Sequence, residues 1–389
     1  MSGTVTPGWE PVADAFRSNF ESDRDIGASV AVYHRGLPVI DLVGGWFDEA
    51  RTRPYGHDTL QLVFSTTKGL TAMAAAVCVE RGWLDYDGVV AEYWPEFAAA
   101  GKEEVTVAQL LSHQAGLAAI DGAVRLEEIM DWDHMATRVA KQAPLWEPGS
   151  AHGYHALTFG WLAGELVHRA DPQRRGLGAF VADEVAGPVG AEAFIGLPEH
   201  LEHRVSPVVL SALLADPGVA ALARQMLGPE TLLGRALTLN AAVPFGDPVW
   251  NTRAVHAAQI PAANGISTAS SLARVYAACV GEVDGRRLLD PGTVARASAT
   301  ITPAGEPDRV LVVPTTFGMG FMTSGPFTPM LGPRSFGHAG AGGSLAFGDP
   351  EAEIGFAYAM NKMDLNLSGD ARAHRLVKAV SRPGPARPP

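Results

Sequence analysis

Ser65 and Lys68 stand three residues apart in FSTTKGL, residues 64–70, just ahead of the apolar run TAMAAAVCV. On a helix, residues i and i+3 share a face with Cβ atoms about 5–6 Å apart, so a hydroxyl and an amine at this spacing can meet. That pair is a nucleophile beside its base when burial or positive surroundings strip the lysine of its proton. The same spacing also serves an ordinary helix start, with Ser65 as a cap and Lys68 as a surface cation. The following segment GLTAMAAAVCV, residues 69–79, has no polar face to expose, so the helix is expected to be buried nearly all round. A lysine at the mouth of a buried helix needs a reason. The helix N-terminus adds free N–H groups and partial positive charge beside Ser65, both favourable to a developing oxyanion.

Two further segments carry chemical potential. In WEPGSAHGYHALTFGWLAGEL, residues 146–166, a Pro148-Gly149-Ser150 turn precedes Tyr154, and an amphipathic helix is expected to begin just after it. A tyrosine at such an entry can relay a proton to a leaving group, or can simply be a core or rim residue. In FGHAGAGGSLAF, residues 336–347, glycines crowd the entry to a strand. They let backbone N–H groups approach a ligand, or merely make a flexible hairpin entry. His200 and His203 in PEHLEHRV have metal-like spacing but no third ligand cluster, so a solvated helix face is expected there and no metal site. His113 is expected to hydrogen-bond within its own helix turn. Trp132, Trp146 and Phe327 either line an acyl pocket or belong to the core.

The elements that must position these residues follow from periodicity. Residues 28–46 read as two β-branched runs around a turn at Arg35-Gly36, and residues 342–361 repeat the design with Gly348-Asp349-Pro350 at the turn. DARAHRLVKAVS is an amphipathic helix, and the tail at 381–389 is expected to be disordered. Helical spacing marks the middle, from Thr66 to about Arg81, Thr106 to Ser112 and Ala156 to Arg169. The expected fold is α+β, an antiparallel sheet built from 1–64 and 265–380 with a mainly helical lobe, 65–264, inserted between them. The cleft between the two is the natural place for a site.

The order S-T-T-K, then P-G-S-x-x-x-Y, then H-x-G ahead of a C-terminal hairpin resembles the serine β-lactamase-like superfamily. That group includes class C β-lactamases, D-Ala-D-Ala peptidases and the family VIII carboxylesterases, and the last are the nearest match. The resemblance covers nearly the whole chain. VTVAQLLSHQAGL (105–117) is similar to the family's T-x-x-x-L-L-x-H-x-x-G-L segment, and GISTASSLARVYA (265–277) to its G-x-x-S-T-A-x-D-x-A helix, with Ser271 where Asp is common. The resemblance implies the β-lactamase/transpeptidase-like fold, with Ser65 as the acylated serine, Lys68 as the proton acceptor and Tyr154 as the tyrosine of the Y-x-N motif. It places the oxyanion hole at the backbone N–H groups of Ser65 and Ala341, and the third motif, His338-Ala339-Gly340, at the substrate. Two departures stand out: His338 replaces the lysine of Lys-Thr-Gly, and Ala156 replaces the Asn of Y-x-N. Both remove partners for an anionic amide substrate, which favours neutral short- to medium-chain esters. An acyltransferase of the same fold is the alternative. A β-lactamase or D,D-peptidase, or a silent binding module, fits less well, and the missing G-x-S-x-G speaks against an α/β-hydrolase.

Composition narrows the rest. At 389 residues, 47% hydrophobic and 19% charged, the chain has the make-up of a globular protein with a large core. Its net charge of −12 and lack of basic runs make nucleic acid an unsuitable partner. No secretory signal is evident at the start, and the 11-residue run at 69–79 is too short to span a bilayer, so a cytoplasmic protein is the expectation. Two cysteines, Cys78 and Cys279, suggest neither disulfides nor a metal centre, and no cofactor is expected.

Overall fold

The computed structural model describes residues 1–22, 25–210, 217–244, 248–303 and 305–381. Its main sheet is antiparallel and combines both ends of the chain in the order β1-β3-β2-β11-β10-β9-β8. Here β1 is Ser2–Val5, β2 Gly27–His34, β3 Leu37–Gly45, β8 Met322–Thr323, β9 Phe336–Ala339, β10 Leu345–Asp349 and β11 Ile354–Met360. The β2–β3 hairpin turns at Arg35-Gly36 as the sequence suggests. The C-terminal hairpin turns two residues later than expected: Gly348 and Asp349 are still paired, with Gly355 and Ile354. Asp349 instead caps the turn by accepting from the N–H groups of Glu351 and Ala352.

Alternation along the strands sorts the two faces by size. Val30, Val32, Phe347, Phe356 and Tyr358 point to one side, where α1 (Glu10–Ser22) and the C-terminal helix meet them through Phe16, Leu376 and Val380. Ala31, Ala346, Ala357 and Ala359 point to the other. Against this small-residue face lies the helix Ala269–Val280, so close that a Cβ on Gly355 would stand 2.2 Å from the Ala273 carbonyl. The sheet is thus covered on both faces.

The inserted region packs its helices into a second core around α2 (Thr67–Glu80). Twelve of the 14 residues of α2 are buried, in accord with its lack of a polar face. Among the helices that follow are α3 (Val107–Leu111), α4 (Trp132–Lys141) and α5 (Thr158–Ala170). Thr106 and Gln109 close a reciprocal capping box at α3. Next come α6 (Pro217–Met226) and α7 (Leu232–Thr238), then α8 (Ala269–Val280) and α9 (Ala371–Val380), which cover the sheet together with α1. The region is not purely helical, however. β5 (Ala193–Phe194) and β6 (Val205–Ser206) pair with β7 (Ile266–Ser267) and β4 (Leu60–Leu62) in a small second sheet. That sheet ties the strand entering α2 to the loop preceding α8. The expected disordered tail, 381–389, lies outside the described residues except for Ser381, which ends α9 with its N–H on the Val377 carbonyl. Among the described residues, no helix is long and apolar enough to cross a membrane.

Candidate active site

Ser65 does not lie in the first turn of α2 but in the 3-10 turn Phe64–Thr66 that feeds it. Phe64 takes φ +45°, a conformation that costs a bulky side chain energy and is held only by its surroundings. Two contacts hold it. The Thr67 hydroxyl donates to the Phe64 carbonyl, and the Phe64 ring meets Trp250 edge-on at 5.3 Å. The turn leaves Ser65 partly exposed while Lys68, three residues on, is completely buried. Lys68 Nζ lies 2.9 Å from Ser65 Oγ and 2.9 Å from the Ala262 carbonyl oxygen. Burial pushes its pKa well below that of a free lysine, and no carboxylate contributes to hold the proton on. A neutral amine fits this geometry: an N–H donates to Ala262, and the nitrogen lone pair faces the Ser65 hydroxyl.

Tyr154 stands on an irregular segment, since α5 begins only at Thr158, two residues after Ala156, where the sequence suggests its start. The segment is clamped from both sides. Asp308 accepts the Tyr154 N–H with both carboxylate oxygens, at 3.1 and 3.0 Å. His113 accepts the Gly153 N–H on its carbonyl at 3.0 Å and the His155 N–H on Nδ1 at 3.1 Å. The His113 ring therefore bonds across to the tyrosine segment, while its backbone N–H stays within its own helix turn and donates to the Leu110 carbonyl at 3.4 Å; the residue sits just past α3 at φ +65° with its ring buried. The fully buried Tyr154 phenol hydrogen-bonds Ser65, and burial drives its pKa up, so it stays protonated. Its ring lies 4.8 Å below Lys68 Nζ. Asp308 had no signal in the sequence, lying alone in an irregular loop; His113 had one, in LLSHQAGL.

The third segment reaches the same place. A Cβ on Gly340 would fall 2.1 Å from Ser344 Oγ and 2.2 Å from the Val63 carbonyl, so only glycine lets β9 run this close to the Ser65 turn. Ser344 Oγ fastens the two by donating to Val63 O at 2.9 Å. The N–H groups of Ser65 and Ala341 have no backbone acceptor among the described hydrogen bonds, and both residues line one cleft. The loop is anchored from behind by buried Arg372, which donates to the Gly342 carbonyl at 2.7 Å and pairs with Asp25 and Asp370. His338 is placed differently from its expected substrate-facing position. It is completely buried, its ring stacks on Tyr154 at 5.9 Å, and Nδ1 is 2.7 Å from the Ala339 carbonyl. Desolvation by complete burial lowers its pKa, which favours the neutral ring.

The cleft at Ser65 is narrow, with about 40 Å³ open to a water-sized sphere, and its walls are almost wholly apolar: Phe64, Leu157, Leu237, Val243, Trp250 and Leu367, with Ala156 and Ala263. Ala156, where the family motif has Asn, thus leaves a smooth apolar wall. The aromatic residues singled out in the sequence lie elsewhere. Trp132 packs on the helical core and donates to Glu165 at 2.8 Å, Trp146 donates to the Ala151 carbonyl, and Phe327 packs against the sheet-side core. Trp250 is the aromatic wall, and its segment has no motif to mark it. His200 and His203 lie on an exposed turn, and no cluster of three metal-ligating side chains occurs among the described residues.

Comparison with known proteins agrees with this geometry. The beta-lactamase family model matches residues 13–381. The chain is 35% identical over 368 residues to "Esterase/beta-lactamase LipL" of Mycobacterium tuberculosis, covering 93% of this chain and 83% of that protein. A solved family VIII carboxylesterase superposes with a TM-score of 0.88 at 38% identity, covering 98% of this chain and 99% of the other. EstA from Arthrobacter nitroguajacolicus Rue61a gives 0.86 at 37%, covering 98% of each. The Ser65 turn, the buried lysine behind it and the tyrosine segment beside it thus sit on a shared fold, and the chain belongs to the beta-lactamase family.

Proposed function

We propose that the chain is a serine carboxylesterase that hydrolyses neutral esters through an acyl-enzyme on Ser65. The observation that carries this reading is the contact between a partly exposed serine and a buried lysine that no carboxylate holds protonated. Lys68 takes the hydroxyl proton as Oγ attacks the ester carbonyl, and becomes an ammonium. The N–H groups of Ser65 and Ala341 receive the oxyanion, which offsets the new positive charge at short range. Tyr154 donates its proton to the leaving alkoxide and regains one from Lys68. Water then attacks the acyl carbonyl by the same route, freeing the acid and restoring Ser65.

Substrate neutrality rests on what the walls lack. No cation lines the cleft, and buried His338 is neutral, so a carboxylate-bearing substrate finds no charged partner. β-Lactams are carboxylates, which makes them the weaker reading even though one relative carries "beta-lactamase" in its name. The test is a phosphonate ester probe followed by mass spectrometry, beside turnover of p-nitrophenyl butyrate and a chromogenic cephalosporin. The adduct is expected on Ser65, with the ester preferred at least tenfold. A preference for the cephalosporin overturns the reading. An added alcohol acceptor that diverts most of the acyl group would identify an acyltransferase instead.

A further inference from the structure

Next to the Ser65 cleft lies a second concavity of about 670 Å³ counted to its open side, formed by α6, α7 and the loop before α9. Its lining is apolar but for Asn366. Leu222, Met226, Leu233 and Leu365 contribute only there, while Leu237 and Leu367 line both this groove and the Ser65 cleft. The two spaces therefore lie side by side and share the wall that Leu237 and Leu367 make. Leu222, Met226 and Leu365 are 56%, 51% and 39% exposed, placing them among the few large hydrophobic side chains left open to solvent on the described surface. Scattered exposed leucines need no explanation, but a cluster of them against the reaction site does.

We propose that this groove holds an unbranched aliphatic chain of eight or more carbons on the ester substrate, with the carbonyl at Ser65. The inference rests on the carboxylesterase reading and extends it from short esters to lipid-like ones. Three observations select this occupant. The groove and the cleft adjoin at the Leu237 and Leu367 side chains, so a chain attached to the reacting carbonyl that passes over these two leucines stays on apolar surface. No charged side chain among the described residues lines either space, so nothing described there asks for a headgroup or a carboxylate. The groove is open along one side, which suits a flexible chain better than a compact ring. Each fully buried methylene is worth about fourfold in affinity, and a half-covered one in such a groove about twofold. Four extra carbons should therefore raise affinity on the order of tenfold.

The experiment compares the unmodified protein with Leu222→Glu/Met226→Glu and with the milder Leu222→Ala/Met226→Ala. Both pairs are on the exposed face of α6, outside the residues that touch the reacting atoms. Two series locate the chain: p-nitrophenyl acetate to dodecanoate places it on the acid, and ethyl to decyl acetate places it on the alcohol. 2-Undecanone and 2-butanone, neutral ketones that cannot be hydrolysed, report binding by calorimetry independently of turnover. In the unmodified protein, 2-undecanone is expected to bind at least tenfold more tightly than 2-butanone. The glutamate pair should lose about tenfold in kcat/KM for one long-chain series and in 2-undecanone affinity, with p-nitrophenyl acetate within twofold, and the alanine pair about threefold. The proposal is overturned if 2-undecanone binds no better than 2-butanone, or if long and short substrates fall together. It is also overturned if the glutamate pair merely dissociates a dimer and leaves the chain-length profile unchanged, which would assign the groove to a second copy. If the ketones behave as expected but no ester is turned over, the groove stands and the catalytic reading falls.

Discussion

The two sides of Ser65 are built from opposite materials. Behind it, Lys68, Tyr154, His113 and His338 are almost completely buried and polar, with burial pushing each toward its neutral form, and they are held by Ala262, Asp308 and the backbone. In front of it, Trp250, Leu237, Val243 and Leu367 make a cleft that offers a substrate shape but few hydrogen bonds. A dry polar chamber fixes where protons go, because each buried group has one low-energy protonation state and little freedom to move. An apolar wall decides only which substrates stay. Substitutions behind the serine should therefore change kcat, and substitutions in front should change KM and chain-length preference.

The largest effect tests the chamber at its centre. Ser65→Ala should lower kcat by at least about 10⁴-fold while the thermal midpoint stays within a few degrees, since it removes the atom proposed to form the acyl bond. Residual activity above a tenth would remove Ser65 from the mechanism. Lys68→Arg comes next, with a loss on the order of 10³-fold, because arginine keeps its proton at any working pH and cannot accept another. In the unmodified protein the rate should fall as pH drops through the lowered Lys68 pKa, since protonation removes the base. An active arginine variant would make Lys68 an electrostatic anchor only.

Tyr154→Phe should cost about 10²-fold in kcat with KM nearly unchanged, the usual range for a proton-transfer group. Stopped-flow release of p-nitrophenol separates acylation from deacylation, and both should slow. Trp250→Ala belongs to the other side of the comparison. It should raise KM about tenfold for p-nitrophenyl octanoate and little for acetate, leaving kcat within threefold. A kcat loss as large as that of Tyr154→Phe would show that Trp250, through its edge contact with Phe64, holds the strained turn rather than the substrate.

The same division explains what could be read from the sequence. Ser65, Lys68, Tyr154 and Gly340 were legible because their chemistry needs fixed spacing: one helical turn, one turn before a helix, one close backbone approach. The sheet was legible from its alternation, down to the Arg35-Gly36 turn. Asp308 was not, because a carboxylate that clamps a distant backbone N–H can come from any loop that reaches it. Trp250 and Leu237 were not, because an apolar wall needs volume and no particular order of residues. His338 was correctly found on the third segment but given the wrong surroundings. Its register opposite Ala346 turns it inward beneath Tyr154, which the motif alone does not reveal.

The smallest effect tests protonation without any substrate. Lys68 is neutral in the folded protein if burial has taken its pKa well below the working pH, whereas in the unfolded chain it titrates near 10.4. Between those two values the unfolded state binds one proton that the folded state does not. Unfolding free energy must then rise with pH by about 1.4 kcal/mol per unit from this group alone, the gain ending near the unfolded pKa. Below the folded pKa the term is flat and the burial cost is at its greatest. Lys68→Met keeps the buried methylene stem and removes the titration. Urea unfolding of both proteins at pH 7.5, 8.5 and 9.5 should therefore show the unmodified protein gaining on Lys68→Met by about 1.4 kcal/mol per unit, whichever is the more stable at the start. Parallel curves would mean that Lys68 keeps its proton when folded, and a chamber holding a permanent cation could not supply the base.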